Sequence, residues 1–154
     1  MANRITKTDY EALAAFRYAL RQFLRIGEEA ATDVGLTPQQ HQALLAIRGY
    51  PDVGRMTIGA LAERLQLRHH SVVGLVDRLS QEGLVQRRYD RNDRRHVYVA
   101  LTRRGVRLLD RVTAAHRGEM KKAGPELMEQ LRGLIADGSG ASARRSSGTR
   151  VVRA

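Results

Sequence analysis

Apolar positions change their period several times along the chain, and each change marks an element. Tyr10, Leu13, Ala14, Phe16, Leu20, Phe23 and Leu24 recur at three- and four-residue steps, the pattern of a helix with one wide apolar face. Thr8-Asp-Tyr-Glu11 reads as its capping box, in which the Thr hydroxyl accepts a free backbone N–H and the Glu reaches back. The helix is expected to run to about Ala31. At roughly twenty residues or more it would span about 30 Å, so it either crosses the whole domain or packs against a second chain. Gly35 closes this region. Thr37-Pro38-Gln39-Gln40 then opens a second helix, with a Thr cap, Pro in the first turn, and Ala43, Leu44 and Ile47 facing inward. The stretch from Gly49 to Arg55, with Pro51, Asp52 and Gly54, is expected to be a loop.

The stretch from Thr57 to Thr102 organises the rest. Thr57 can cap a short helix over Ile58 to about Leu65, with Ile58, Leu61, Ala62 and Leu65 on one face. Val72, Leu75, Val76 and Leu79 give a second amphipathic helix after a tight turn, and Gly83 stops it, because Gly adopts the left-handed conformation most easily. Two strand patterns follow, Leu84 to Tyr89 and His96 to Leu101; in the second, Val97, Val99 and Leu101 alternate with His96, Tyr98 and Ala100. This order predicts a helix-turn-helix with an attached β-hairpin wing.

Thr102 should cap another long helix with Val106, Leu109, Val112 and Met120 inward. Gly124-Pro125 is expected to break it, leaving a short helix from Glu126 to Ala136. From Gly138 the composition turns to Gly, Ser, Ala and Arg, with nothing large enough to build a core. The expected division is therefore 1–35 as an N-terminal dimerisation helix, 36–101 as the winged lobe, 102–137 as C-terminal dimerisation helices, and 138–154 as a disordered basic tail. The fold class is mainly α with a small β-hairpin.

The chain carries 27 Lys plus Arg against 16 Asp plus Glu, a formal charge of +11. The excess is concentrated after residue 50, and such a surface attracts polyphosphate, although an anionic membrane or an acidic protein would attract it too. Cys is absent, which removes disulfides, thiolate metal sites and thiol-based redox sensing. The polar start, Met1 to Asp9, lacks the apolar core of a signal peptide, and no apolar run is long enough to span a bilayer. A cytoplasmic protein is expected, nucleoid-associated when bound to DNA, with no membrane partner.

The loop Asp90-Arg-Asn-Asp-Arg-Arg95 holds the most informative chemistry. A wing lets a guanidinium project beyond the body, and arginine suits a narrow, electronegative minor groove. One of Arg94 and Arg95 would reach the groove while Asp93 orients the other. On the preceding helix the surface opposite the apolar stripe presents His69, His70, Ser71, Gly74 and Arg78 toward its N-terminal half, where a recognition helix meets base edges. His and Ser can hydrogen-bond bases or phosphates; Gly74 either allows close backbone approach or is a tolerated helix defect. Adjacent histidines point about 100° apart on a helix, which does not match a zinc-protease helix, so no metal is expected. No Gly-rich phosphate loop, Cys nucleophile or carboxylate pair supports an enzyme or a cofactor. Arg17, Arg21 and Arg25 recur every four residues on the first helix; like charges at that spacing call for solvent, an acidic partner or an anionic ligand.

Taken together, Leu61-Ala-Glu-Arg-Leu65, Val76-Asp-Arg-Leu79, Gly83-Leu-Val85, Arg87, Asp93-Arg-Arg95, Val99 and Leu101-Thr102 with Gly105 resemble the MarR family of bacterial transcription regulators over about residues 8–136. The resemblance implies a winged-helix homodimer that binds pseudo-palindromic operator DNA, usually as a repressor, with terminal helices of the two chains interlocked. It also implies a small effector, often an aromatic acid or other anionic compound, that binds between the dimer region and the DNA-binding lobe and releases DNA. On this chain the recognition helix would be about His69 to Gln81. The DNA-contacting set would be Arg68, His69, His70, Ser71, Gly74, Arg78, Arg91, Arg94 and Arg95, and the effector set Arg17, Arg21 and His41. Arg68 stands where the family commonly has a small capping residue, and Val73-Gly74 replaces a more polar pair. The competing expectation is a constitutive, weakly specific nucleic-acid-binding or architectural module that senses nothing.

Overall fold

The computed structural model describes residues 4–139. Among them the elements run α1 (Lys7–Thr32), α2 (Pro38–Arg48), α3 (Ile58–Leu65), α4 (His69–Gln81), β1 (Val85–Tyr89), β2 (Val97–Leu101) and α5 (Arg103–Ser139). The two strands pair antiparallel in the register Val85↔Leu101 to Tyr89↔Val97. The chain is thus mainly helical with one hairpin, as the hydrophobic pattern predicts. It divides into two compact units, one spanning Gly27–Arg117 and the other combining the residues up to Ile26 with those from Gly118 onward.

In the first unit local signals set the helix starts. Thr37 accepts the Gln40 N–H at 3.2 Å while the Gln40 side chain accepts the Thr37 N–H at 2.9 Å, a complete capping box ahead of Pro38. Thr57 accepts the Ala60 N–H at 3.1 Å and starts α3 where expected. Helix α4 ends on Gly83 at φ 69°; the Leu84 N–H bonds the Leu79 carbonyl and the Gly83 N–H bonds that of Ser80, the double closure of a helix C-terminus. Helices α2, α3 and α4 pack on one another and on the hairpin around Leu44, Leu61, Val72, Leu75, Val76 and Leu79, all buried. Met56 extends the sheet by one bridge, its carbonyl accepting the Val99 N–H at 2.7 Å.

Both strands start one residue later than expected, and β2 does not alternate cleanly. Val99 and Ala100 are both buried, because α2 packs against β2 and covers the face that a free wing would leave to solvent. Thr102 caps α5 as expected, accepting the Gly105 N–H at 3.0 Å. Its own hydroxyl donates to the Gly83 carbonyl at 2.6 Å and its N–H to the Leu84 carbonyl at 3.0 Å. Gly105 is required at this junction. A Cβ there would fall inside the van der Waals shell of the Leu84 carbonyl oxygen and 3.0 Å from its carbon. Leu109 and Val112 then face the core; Val106 and Met120 are only half-buried.

The second unit corrects two expectations. Helix α1 starts at Lys7 on a Thr6–Asp9 box, not a Thr8–Glu11 box: the Thr6 N–H donates to the Asp9 carboxylate at 2.7 Å and the Asp9 N–H to the Thr6 hydroxyl at 3.3 Å. Both registers spell Thr-x-x-acid. The earlier one adds two residues to the helix and places Lys7 and Glu11 in a 3.2 Å ion pair within it. Asp9 is held below the usual carboxylate range chiefly by that Thr6 N–H.

The second correction concerns Gly124-Pro125, which does not break the C-terminal helix. Helix α5 passes through Pro125 and continues to Ser139, so the short separate helix and the start of the tail at Gly138 both give way to one 37-residue element. A proline inside a helix forfeits one intrahelical bond at a cost of about 3 kcal/mol. Here Pro125 and Lys121, whose carbonyl loses its donor, are exposed, so water can serve the freed group. Side-chain bonds on either side, Lys122 to Glu119 and Gln130 to Glu126, support both flanks. The remainder of the expected tail, residues 140–154, lies outside the described residues. No described helix is long and apolar enough to cross a membrane.

Candidate DNA-binding interface

Helix α4 holds its apolar stripe against the core and turns a polar face outward. At about 100° per residue, His70, Ser71, Gly74 and Arg78 share that face, whereas His69 points well away from it. All but Gly74 are exposed, and Gly74 is half-exposed. The Arg78 guanidinium lies back over Gly74, 3.5 Å from where a Cβ would be. Arg68 occupies the N-cap position in extended conformation without a side-chain capping bond. The first-turn N–H groups of α4 are thus left without a side-chain cap, beside a guanidinium, an arrangement suited to a backbone phosphate.

The hairpin carries the second contact surface. Its tip is a built turn: Asp90 Oδ1 accepts the N–H groups of Asn92 and Asp93 at 2.8 and 3.2 Å, and the Asp90 N–H donates to the His96 carbonyl at 3.0 Å. Those two N–H bonds, ahead of the charges of Arg55 and His96, hold the Asp90 carboxyl below the usual range. Asp93 clamps Arg95 with bonds from Nε and Nη2 at 3.0 and 2.9 Å and also accepts the Arg95 N–H. This clamp lowers the Asp93 pKa and raises that of Arg95. Among the described residues Arg91 and Arg94 make no hydrogen bond or ion pair and are exposed. Of the two arginines, Arg95 is the one that Asp93 orients, its side chain staying 90% exposed, while Arg94 has no such bond among the described residues.

Two further contacts fix the hairpin to the rest of its unit, and neither was assigned a role from the sequence. Arg87 on β1 donates to Asp77 on α4 at 2.6 Å, tying the wing to the recognition helix. Arg55, from the loop before α3, reaches Asp90 at 3.4 Å and lies over the Tyr98 ring at 5.6 Å, tying that loop to the base of the tip. Asp77 and Arg87 stood in the motif, but only the fold shows that they meet.

The expected effector residues are distributed differently. Arg17 and Arg21 belong to the unit that includes the N-terminal residues, where Arg21 borders an open hollow of about 240 Å³ with Tyr18, Gln22 and Arg25. His41 belongs to the other unit and is buried, its ring edge-on to His116 at 6.1 Å between centroids. Burial, and secondarily the neighbouring His116, lower its pKa and favour the neutral ring.

A helix-turn-helix whose recognition helix is bonded to an arginine-tipped wing defines the class of winged-helix transcription regulators. Residues 34–96 match the model of the MarR family. The transcriptional activatory protein BadR of Rhodopseudomonas palustris is 31% identical over 115 residues, 68% of this chain and 66% of that protein. The uncharacterized HTH-type transcriptional regulator YsmB of Bacillus subtilis is 30% identical over 112 residues, 70% of this chain and 75% of that one. Among solved structures, an S. aureus MepR variant bound to an oligodeoxyribonucleotide superposes with a TM-score of 0.60 at 21% identity, over 87% of this chain and 96% of that one. The chain belongs to the MarR family and is a DNA-binding transcription regulator, not an enzyme.

Proposed function

We propose that the protein acts as a homodimer on pseudo-palindromic operator DNA, placing one α4 per half-site in the major groove and one Arg94 in the adjacent minor groove. The observation that carries the dimer is the apolar surface left open on the terminal helices. Tyr10, Leu13 and Leu24 on α1 and Met128, Leu131 and Ile135 on α5 are 41–64% exposed, although large apolar side chains are otherwise mostly inside. A second copy offers the same surface in return, which is how a two-fold interface is made. Half-sites then lie about one helical turn, 34–36 Å, apart. On this reading Arg68, His70, Ser71, Gly74 and Arg78 face the groove, His69 and Arg91 contact backbone, and occupancy of a promoter excludes polymerase, so the dimer represses. A small anionic effector releases it.

The test is a gel shift at fixed salt on the protein's own promoter region, with palindromic and scrambled competitors, paired with light scattering of the free protein. Preferential competition by the palindrome and a dimer mass are expected. Equal competition would establish a constitutive, weakly specific binder instead, and a monomer mass would remove the two-fold operator.

A further inference from the structure

A second hollow, of about 150 Å³, lies on the winged lobe where the end of α2, the loop before α3, both strands and the start of α5 meet. Ile47, Val53, Ala100 and Val106 give it an aliphatic lining, and Arg48 and Arg88 are the charged residues that border it. Three arginines elsewhere on the lobe have their own carboxylates: Arg87 has Asp77, Arg95 has Asp93, and Arg55 has Asp90. Arg48 and Arg88 do not. No carboxylate lines the hollow, Arg88 meets only the Gln86 side-chain oxygen, and Arg48 has no polar partner among the described residues. Two bordering arginines without a carboxylate partner among the described residues, next to an aliphatic lining, fit a molecule that is anionic at one end and hydrocarbon at the other. The volume equals that of a cavity known to hold one benzene-sized body, about six carbons.

We infer that this hollow is an effector site for a small carboxylate with a compact aliphatic body of about six carbons, held by Arg48 and Arg88. The inference rests on the reading that the protein answers to an anionic effector, and it assigns that effector a place beneath the wing. The hollow is well placed to act on DNA binding. Val53 and Gly54, which line it, directly precede Arg55, the residue that holds the base of the wing tip through Asp90. A ligand that displaces this loop pulls on Arg55, and a ligand that draws Arg88 inward acts on β1 directly. Asp90 in turn organises the turn that carries Arg94.

The test measures binding to the free protein, so it stands whether or not the operator reading holds. Isotope-labelled protein is titrated with 4-methylpentanoate and with its neutral amide while backbone amide shifts are followed. The acid is expected to move Val53, Gly54, Arg88 and Leu101 and, further on, Asp90 and Asn92, and to bind at least tenfold tighter than the amide. Arg48→Gln with Arg88→Gln should cost at least tenfold in acid affinity. Ala100→Leu, which fills the floor, should abolish binding while the spectrum stays that of the folded lobe. Equal affinity for acid and amide would overturn the proposal. So would shifts centred on Arg17 and Arg21, or full binding by the double variant. If the acid binds as expected but DNA competition is unspecific, the site stands and the operator reading falls.

Discussion

Two glycines in helices of the winged lobe should respond in opposite directions to the same substitution. Gly74 and Gly105 both occupy helical positions, where alanine is intrinsically favoured by about 1 kcal/mol. At Gly74 the added methyl meets only the far end of Arg78 at 3.5 Å, a flexible group that can move aside. Gly74→Ala should therefore realise most of that gain, raising stability by up to about 1 kcal/mol. At Gly105 the methyl meets the Leu84 backbone carbonyl, which cannot give way freely because it also accepts the Thr102 N–H at 3.0 Å. Moving it loosens the bond that returns the wing to α5. Overpacking costs roughly 1–3 kcal/mol or more, and so close a backbone contact belongs at the upper end, so after the propensity gain Gly105→Ala should lose about 2 kcal/mol or more. Urea unfolding followed by circular dichroism reads both changes as opposite shifts of the midpoint at constant slope. A Gly105→Ala protein as stable as the parent, or more so, would refute the close approach of α5 to Leu84.

Arg94→Ala should weaken operator binding more than Arg95→Ala, because Asp93 already holds the Arg95 guanidinium; measured over a salt series, Arg94→Ala should also lower the slope by about one unit. Equal losses from the two would show that the clamp does not separate their roles. Asp77→Asn removes the charge of a partly exposed pair and should cost less than about 1 kcal/mol of stability, yet it should reduce DNA affinity because α4 and the wing lose their link. An unchanged dissociation constant in a gel shift would count against that link. For His41 the folded-state pKa lies below the ordinary 6.5, so the unfolded chain takes up a proton that the folded chain resists. The stability this neutral ring contributes is therefore complete above about pH 6.5 and declines as the pH falls toward the lower folded value. His41→Gln should flatten that decline in pH-dependent thermal unfolding; an unaltered profile would place the titration elsewhere.

What the sequence revealed depended on the range of the signal. Helix α3 and the end of α4 were legible because Thr57, Gly83 and the spacing of Val72, Leu75, Val76 and Leu79 are local cues acting in the same sense, whereas the start of α4, which no side-chain cap marks, came only with the resemblance. The start of α1 was ambiguous because two overlapping Thr-x-x-acid registers compete, and only the carboxylate geometry of Asp9 decides between them. Pro125 misled because a proline in an exposed helix costs about 3 kcal/mol without having to end it, and here the helix continues through it with side-chain bonds on both flanks. The Asp77–Arg87 and Arg55–Asp90 contacts join residues 10 and 35 positions apart, with no periodicity to announce them. The hollow beneath the wing was invisible for the same reason, since Arg48 and Arg88 meet only after α2 and β1 are brought together. Arg94 and Arg95 could be located on the wing, but which of them is held depended on the direction in which Asp93 closes.

The carboxylates built into the wing also bear on how fast the protein finds its site. The chain as a whole is strongly cationic, and a uniformly charged wing would hold any duplex it met, lengthening each unproductive stay. Asp77, Asp90 and Asp93 each absorb one nearby guanidinium, so of the wing's five arginines Arg88, Arg91 and Arg94 remain without a carboxylate among the described residues. On the proposed reading, pairing of this kind shortens the stay on unrelated DNA while leaving Arg94 for the groove. A wing that discounts its own charge in this way trades affinity for any duplex against selectivity for one.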